Sequence, residues 1–179
     1  MTFYRQVFRA TDSVPKDLVR ALQSFSCSFR ADSVARPRYE VEVDTFITRD
    51  LLTWRTAPDA TAADRRLLVL HRDADDALVA VSAYESEMRQ WDNMMNAVRY
   101  IQVLAVSANL RSPNPTLRIG SQFLATVIDQ IRSDEDATVA VGAYVHRHNE
   151  PARSLFRSQN FQERRLPEAN GYSYWIVGL

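Results

Sequence analysis

The sequence predicts a mixed α/β (α+β) fold, with an antiparallel first half and a β-α-β unit in the second. Three observations carry this reading. Short runs that alternate apolar and polar residues recur between the N-terminus and about residue 106. The stretch 117–132 repeats its apolar residues at the spacing of one helix face. The compact apolar run 137–145 that follows fits a strand buried on both faces, as parallel strands are.

Taken in order, Phe3 to Arg9 alternates and is read as a first strand. Thr11, Asp12 and Ser13 supply N-cap residues, Pro15 suits a first helical turn, and Leu18, Val19, Leu22 and Phe25 continue at helical spacing. Residues 30–38 have no period and contain Pro37, which reads as a loop. Tyr39 to Arg55 supports two readings. Val41, Val43 and Thr45 alternate like a strand, whereas Phe46, Ile47, Leu51, Leu52 and Trp54 fit a helix.

Arg65 to Arg72 and Ala77 to Tyr84 read as two strands, joined at Asp73-Ala74-Asp75-Asp76 into a hairpin. Glu85 to Asn96 is polar with Met88, Trp91, Met94 and Met95, and reads as a bulge followed by a loop or short helix. Val98 to Val106 is a strand, followed by a Ser-, Asn- and Pro-rich loop and then the long helix. After the buried strand come a short helix, Glu150 to Ser158, and two closing strands, Phe161 to Leu166 and Tyr172 to Val177.

Bulk properties narrow the function classes. The 179 residues suit one domain, and a hydrophobic share of 46% suffices for a core. Lys and Arg together number 22, as do Asp and Glu, so the chain lacks the broad basic footprint of a nucleic-acid binder. Its one cysteine, Cys27, excludes an internal disulfide and is read as a small buried residue. No stretch approaches the ~20 apolar residues of a membrane span, and no signal-peptide pattern opens the chain. The expected location is cytoplasmic, without membrane or nucleic-acid partners.

The loop Ser107 to Ile119 joins a strand end to a helix start, where unpaired N–H groups and the positive dipole end favour a phosphate. Gly120 lets a ligand approach the backbone, and Arg111 and Arg118 add two guanidinium forks. Farther on, Asn149 is a good N-cap with Pro151 in the first turn. Ala152, Leu155 and Phe156 then share one face, and Asn160 stands where a left-handed C-cap is wanted.

These two segments resemble the GNAT superfamily of acyl-CoA-dependent N-acyltransferases. Leu104-Ala105-Val106, a loop, and Arg118-Ile119-Gly120-Ser121-Gln122 are similar to its phosphate-binding motif, Gln/Arg-x-x-Gly-x-Gly/Ala after an apolar strand. Asn149-x-x-Ala152-x-x-Leu155-Phe156-x-x-x-Asn160-Phe161 is similar to its Asn-x-x-Ala-x-x-Leu-Tyr-x-x-x-Gly-Phe block. The resemblance covers about the last 80 residues. It implies one domain over 1–179, with an acceptor-side half (1–98) and an acyl-CoA-binding half (99–179). It also implies a mostly antiparallel sheet with a splayed parallel pair, formed by the strands ending at Val106 and Val145. Acetyl-CoA is the implied donor. Leu104, Ala105 and Val106 would pair with pantetheine, while Arg111, Arg118, Ile119, Gly120, Ser121 and Gln122 would hold the pyrophosphate. Asn149 and Phe156 would flank the thiol.

The chain departs from the family at several points. Pro115 stands where the motif has Gln or Arg, and Arg118 where it has its first Gly. Phe156 aligns with the usual Tyr acid and Tyr100 with a frequent Glu base. Amine attack on a thioester needs positioning and an oxyanion contact, so catalysis stays open to other groups. Glu85, Tyr100 and Tyr144 are the candidate catalytic residues, with Glu87 as a second base and Tyr84 and His146 as polar partners. Glu85 is expected at a strand end facing the acceptor. His146 and His148 near Glu150 are read as strand-end residues, and no metal is expected. The expected reaction is acetyl transfer to a primary amine. A CoA-binding module without turnover is the alternative. Met88 to Met95, with Phe46 and Trp54, are read as lining an acceptor cleft, forming a homodimer surface, or filling ordinary core.

Overall fold

A computed structural model describes residues 2–27, 36–59, 62–91, 93–108, 116–134, 138–164 and 169–179. One sheet holds β1 (Phe3–Arg9), β2 (Arg66–Arg72), β3 (Ala77–Trp91), β4 (Met94–Val106), β5 (Ala140–His146), β6 (Gln162–Glu163) and β7 (Tyr172–Gly178). Their order is β1-β2-β3-β4-β5-β7-β6. Every neighbouring pair is antiparallel except β4 and β5, which run parallel. Parallel neighbours need a long crossover, and α4 (Thr116–Ser133) supplies it. The mixed, mostly antiparallel sheet and the adjacency of the strands ending near 106 and 145 are both as expected.

The pleat sends alternate residues to opposite faces. Leu67, Val69, Val81, Ala83, Val103 and Ala105 pack under α1 (Lys16–Gln23) and the helical run that includes α2 (Arg38–Thr45) and α3 (Leu51–Thr56). Leu68, Tyr84, Val106 and Val141 pack under α4 and α5 (Glu150–Ser158) with Phe123, Leu124 and Phe156. In β4 the alternation is shifted once. Ala83 pairs with Val103 but Tyr84 pairs with Ile101, so Gln102 is an extra residue. That bulge turns Ile101 into the α4–α5 core and Tyr100 onto the α1–α3 face.

Several expectations are settled or corrected. Residues 38–56 are helical throughout, with a π-helical turn at Phe46–Asp50 between α2 and α3. Their buried positions are Asp44, Ile47, Leu51 and Arg55, a helical stripe with a charge at each end, which hides the apolar period. Both charges have hydrogen-bond partners. Asp44 accepts from the Cys27 N–H at 2.9 Å and from Arg36, and Arg55 donates to the carbonyls of Arg9 and Asp12. Residues 85–91 and 94–96 are strand rather than loop, because β3 and β4 stay paired out to Trp91 and Met94. Of the strand expected over Phe161 to Leu166, β6 spans Gln162–Glu163, and Arg165 and Leu166 lie outside the described residues.

Candidate active site

β4 and β5 pair only from Val98 with Ala140 to Ile101 with Ala143. Beyond that rung β4 continues to Val106 beside β3, with Leu104 opposite Ser82 and Val106 opposite Ala80. β5 continues to His146 beside β7, with Tyr144 opposite Tyr174. The two strands therefore stay in the sheet on their outer edges while parting from each other. The walls of the opening are strand edges, which carry backbone donors and acceptors.

On the α4–α5 side, Leu104 is half-buried, Val106 belongs to this core, and Ala105 faces the opposite core. α4 begins at Thr116, so its free N–H groups are those of Thr116 to Arg118. The N–H groups of Ser121 and Gln122 belong to the helical ladder. Gly120 is buried between Leu155 and Val106. The Ser121 hydroxyl accepts from Gln159 of α5 at 3.1 Å. Gln122 points the other way, into a cavity of about 310 Å³ shared with Phe3, Arg5, Leu70, Ile119, Phe123 and Thr126. Asn149 caps α5 by accepting from the Ala152 N–H at 3.2 Å. Phe156 is buried edge-to-face on Phe161. Arg111, Pro113, Pro115 and the Arg118 side chain lie outside the described residues.

The α1–α3 side of the opening is aromatic. Tyr100 and Tyr144 meet edge-to-face with centroids 5.8 Å apart, and Tyr174 lies 5.2 Å from Tyr144. Gly142 makes this possible. A Cβ there would overlap the Tyr174 hydroxyl and come within 2.8 Å of Cζ. The Arg89 guanidinium lies over the rings of Tyr144 and Tyr174, at 5.9 and 5.6 Å, and pairs with Glu87 at 2.7 Å. Burial, with Tyr144 and Glu87 nearby, raises the Tyr100 phenol well above its ordinary value, so it remains a proton donor.

Glu85 is not at a strand end. It lies within β3, directly opposite Tyr100. Its two oxygens accept from Arg65 Nε at 3.0 Å and from Gln102 Nε2 at 2.6 Å. Tyr84 points into the α4–α5 core, with its hydroxyl 3.4 Å from Asp134, and so takes no part in this face.

A second aromatic group closes the C-terminal end of β5. His146 stacks on Tyr39 and meets Tyr172 edge-on, both at 5.0 Å. The Tyr172 hydroxyl donates to Glu42, and that bond above all holds the Glu42 carboxyl below its ordinary range. Desolvation, with His148 and Arg147 adding like charge, lowers His146 below 6.5. The ring accepts the His148 N–H on Nδ1 at 3.2 Å, which leaves its proton on Nε2. Among the described residues, no group of three or more His, Cys, Asp or Glu could hold a metal ion.

Of the residues gathered on this face, the sequence singles out Tyr100 and Tyr144 as candidates but not Arg89, Gly142 or Tyr174. A lone glycine inside an apolar strand signals a close approach, and Gly142 offered that signal. Nothing local marks Arg89 or Tyr174. Phe46 and Trp54 pack on each other within the α1–α3 core, while Met88, Met94 and Met95 stand exposed on the β3–β4 ribbon.

No family model matches this chain, and no curated protein matches it in sequence. Solved structures do match. Arabidopsis thaliana NAA60 in complex with a bisubstrate analogue aligns over 99% of this chain and 98% of its own, at 16% identity and a TM-score of 0.58. A GNAT-family protein from Desulfovibrio desulfuricans aligns over 99% and 97%, at 16% identity and 0.60. A mutant of the toxin AtaT, bound to the C-terminus of the antitoxin AtaR and acetyl-CoA, aligns over 98% and 92%, at 13% identity and 0.61. The chain has the GNAT fold.

Proposed function

We propose that this GNAT-fold chain is an N-acetyltransferase that moves the acetyl group of acetyl-CoA to a primary amine by direct attack in a ternary complex. The observation that carries the reading is the parting of β4 and β5 after Ile101 and Ala143. An extended pantetheine arm, with its two amides, takes the place of a strand there and pairs with backbone groups of Leu104, Ala105 and Val106. The pyrophosphate sits at the start of α4, where free N–H groups and the helix dipole favour an anion. Arg111 and Arg118 are its proposed charge partners.

Gly120 supports this placement. A Cβ there would meet Leu155 at 3.7 Å and Val106 at 4.0 Å, which are ordinary contacts. Packing therefore does not require a glycine, and in the proposed placement the bare backbone of this turn approaches the ligand.

The acceptor nitrogen attacks the thioester carbonyl from the α1–α3 side. The C–N bond forms, the C–S bond breaks, the amine loses a proton and the CoA sulfur gains one. Tyr100 and Tyr144 serve as donors on this face. Glu85, already joined to Gln102, is the proposed proton acceptor through water. The acceptor is a small-molecule or peptide amine.

The second reading, a CoA-binding module without turnover, draws on Phe156, which cannot donate a proton and is buried against Phe161. Incubation with acetyl-CoA and an amine library, following release of free thiol, separates the two. An acetylated product supports the enzyme, and CoA binding with no transfer to any amine supports the module. Absence of CoA binding overturns both.

A further inference from the structure

Gly142 sits in β5 without any break in register, paired with Tyr100 on one side and Ile176 on the other. The glycine therefore serves no kink in the strand. What it accommodates is a side chain, since the Tyr174 ring folds back from its own rung over the Gly142 backbone. That rung is one before the last at which β4 and β5 still pair. Tyr174 thus lies at the closed end of the opening, on the face where Tyr100 and Tyr144 are gathered.

We propose that Tyr174, seated over Gly142, sets the length of the acyl group this site accepts and holds it to two carbons. The inference rests on the reading of the β4–β5 opening as the thioester site. An acyl chain longer than acetyl must extend past the carbonyl along the α1–α3 face. Toward the closed end it meets the Tyr174 ring, and sideways it meets the crossed rings of Tyr100 and Tyr144. Outward it meets Arg89, which is tied to Glu87 and lies over two of the rings. Without the Tyr174 ring, the space over Gly142 would be walled by Val98, Ala140 and Ile176, an apolar lining suited to hydrocarbon.

Calorimetric titration of the full chain with CoA, acetyl-CoA, butyryl-CoA and hexanoyl-CoA tests this without knowledge of the acceptor. The wild type is expected to bind hexanoyl-CoA at least about ten-fold more weakly than acetyl-CoA, the order of discrimination that a tight apolar pocket gives. Tyr174→Leu is expected to reduce that penalty to within about three-fold, whereas Tyr174→Phe, which keeps the ring, retains it. Gly142→Ala works in the opposite direction. Its Cβ pushes the ring toward the opening, so acetyl-CoA loses affinity relative to CoA, and this arm stands should Tyr174→Leu fail to fold. Equal binding of hexanoyl- and acetyl-CoA by the wild type overturns the inference, as does an unchanged preference in both Tyr174→Leu and Gly142→Ala. In either case CoA binding itself is retained. Binding of no CoA species overturns the thioester-site reading and this inference with it.

Discussion

At the scale of single residues, the charges that matter most are partly or fully withdrawn from water. Asp44 is the clearest case. Burial alone would raise its carboxyl, but bonds from Cys27 and Arg36 outweigh that and hold it below 3.8. A carboxyl lowered in the folded state stabilises above its unfolded pKa and loses that contribution as pH falls through the folded one. Asp44→Asn is therefore expected to cost about 1–3 kcal/mol in urea unfolding at pH 7, with the deficit shrinking on acidification below pH 4. His146 follows the same sign, since its folded pKa is also depressed. Its ring is neutral at pH 7, and protonating it opposes folding below pH 6.5. NMR titration of its ring protons is expected to give a midpoint below 6.5. His148→Gln, by removing a like charge, should move that midpoint upward.

At the scale of elements, the informative contrast is between α5 and α4. Everything needed to start α5 is local: Asn149 caps it, Pro151 sits in its first turn, and Asn160 follows with φ 63°, the left-handed residue expected there. All of this was legible, because capping is a property of five or six consecutive residues. α4 was legible as a helix, but its exact start was not, and a shift of one residue reassigns which N–H groups face a ligand. Gly120→Ala tests the element directly. Alanine is the better helix former, so thermal unfolding should show a gain of up to about 1 kcal/mol. Acetyl-CoA binding by the same variant should weaken, because the proposed placement brings the ligand against the bare backbone of this turn. A variant that is both destabilised and unchanged in binding would refute the placement.

The α2–α3 run and the β3–β4 ribbon show why other elements were hidden. Asp44 and Arg55 occupy core positions of a helix, and their partners are residues 8 to 46 positions away. Glu87 and Arg89 read as loop polarity, yet cross-strand pairing with β4 and the aromatic floor beneath Arg89 hold them in a strand. Local pattern cannot report a polar side chain whose partner lies elsewhere in the fold.

At the scale of the whole molecule, the sheet runs from β1 to β6, and β4 and β5 part from each other after Ile101 and Ala143. A ligand that enters there bridges two strands and two helices, so it should stabilise the native state as a unit. Acetyl-CoA at about 100 times its Kd is expected to add about 2.7 kcal/mol and raise the thermal midpoint by several degrees. An unchanged midpoint at millimolar acetyl-CoA would remove the basis for the proposed donor. No helix among the described residues is long and apolar enough to cross a membrane.

The sequence by itself determined most of the strands and helices, the crossover that makes β4 and β5 parallel, and the cap of α5. Those follow from periodicity and from contacts within one turn, which neighbouring residues fully specify. Only the tertiary structure decided how far β4 and β5 stay paired, which face Tyr100 takes after the Gln102 bulge, and what Gly142 makes room for. Each of these depends on register between distant segments, and a one-residue change in register moves every side chain to the opposite face.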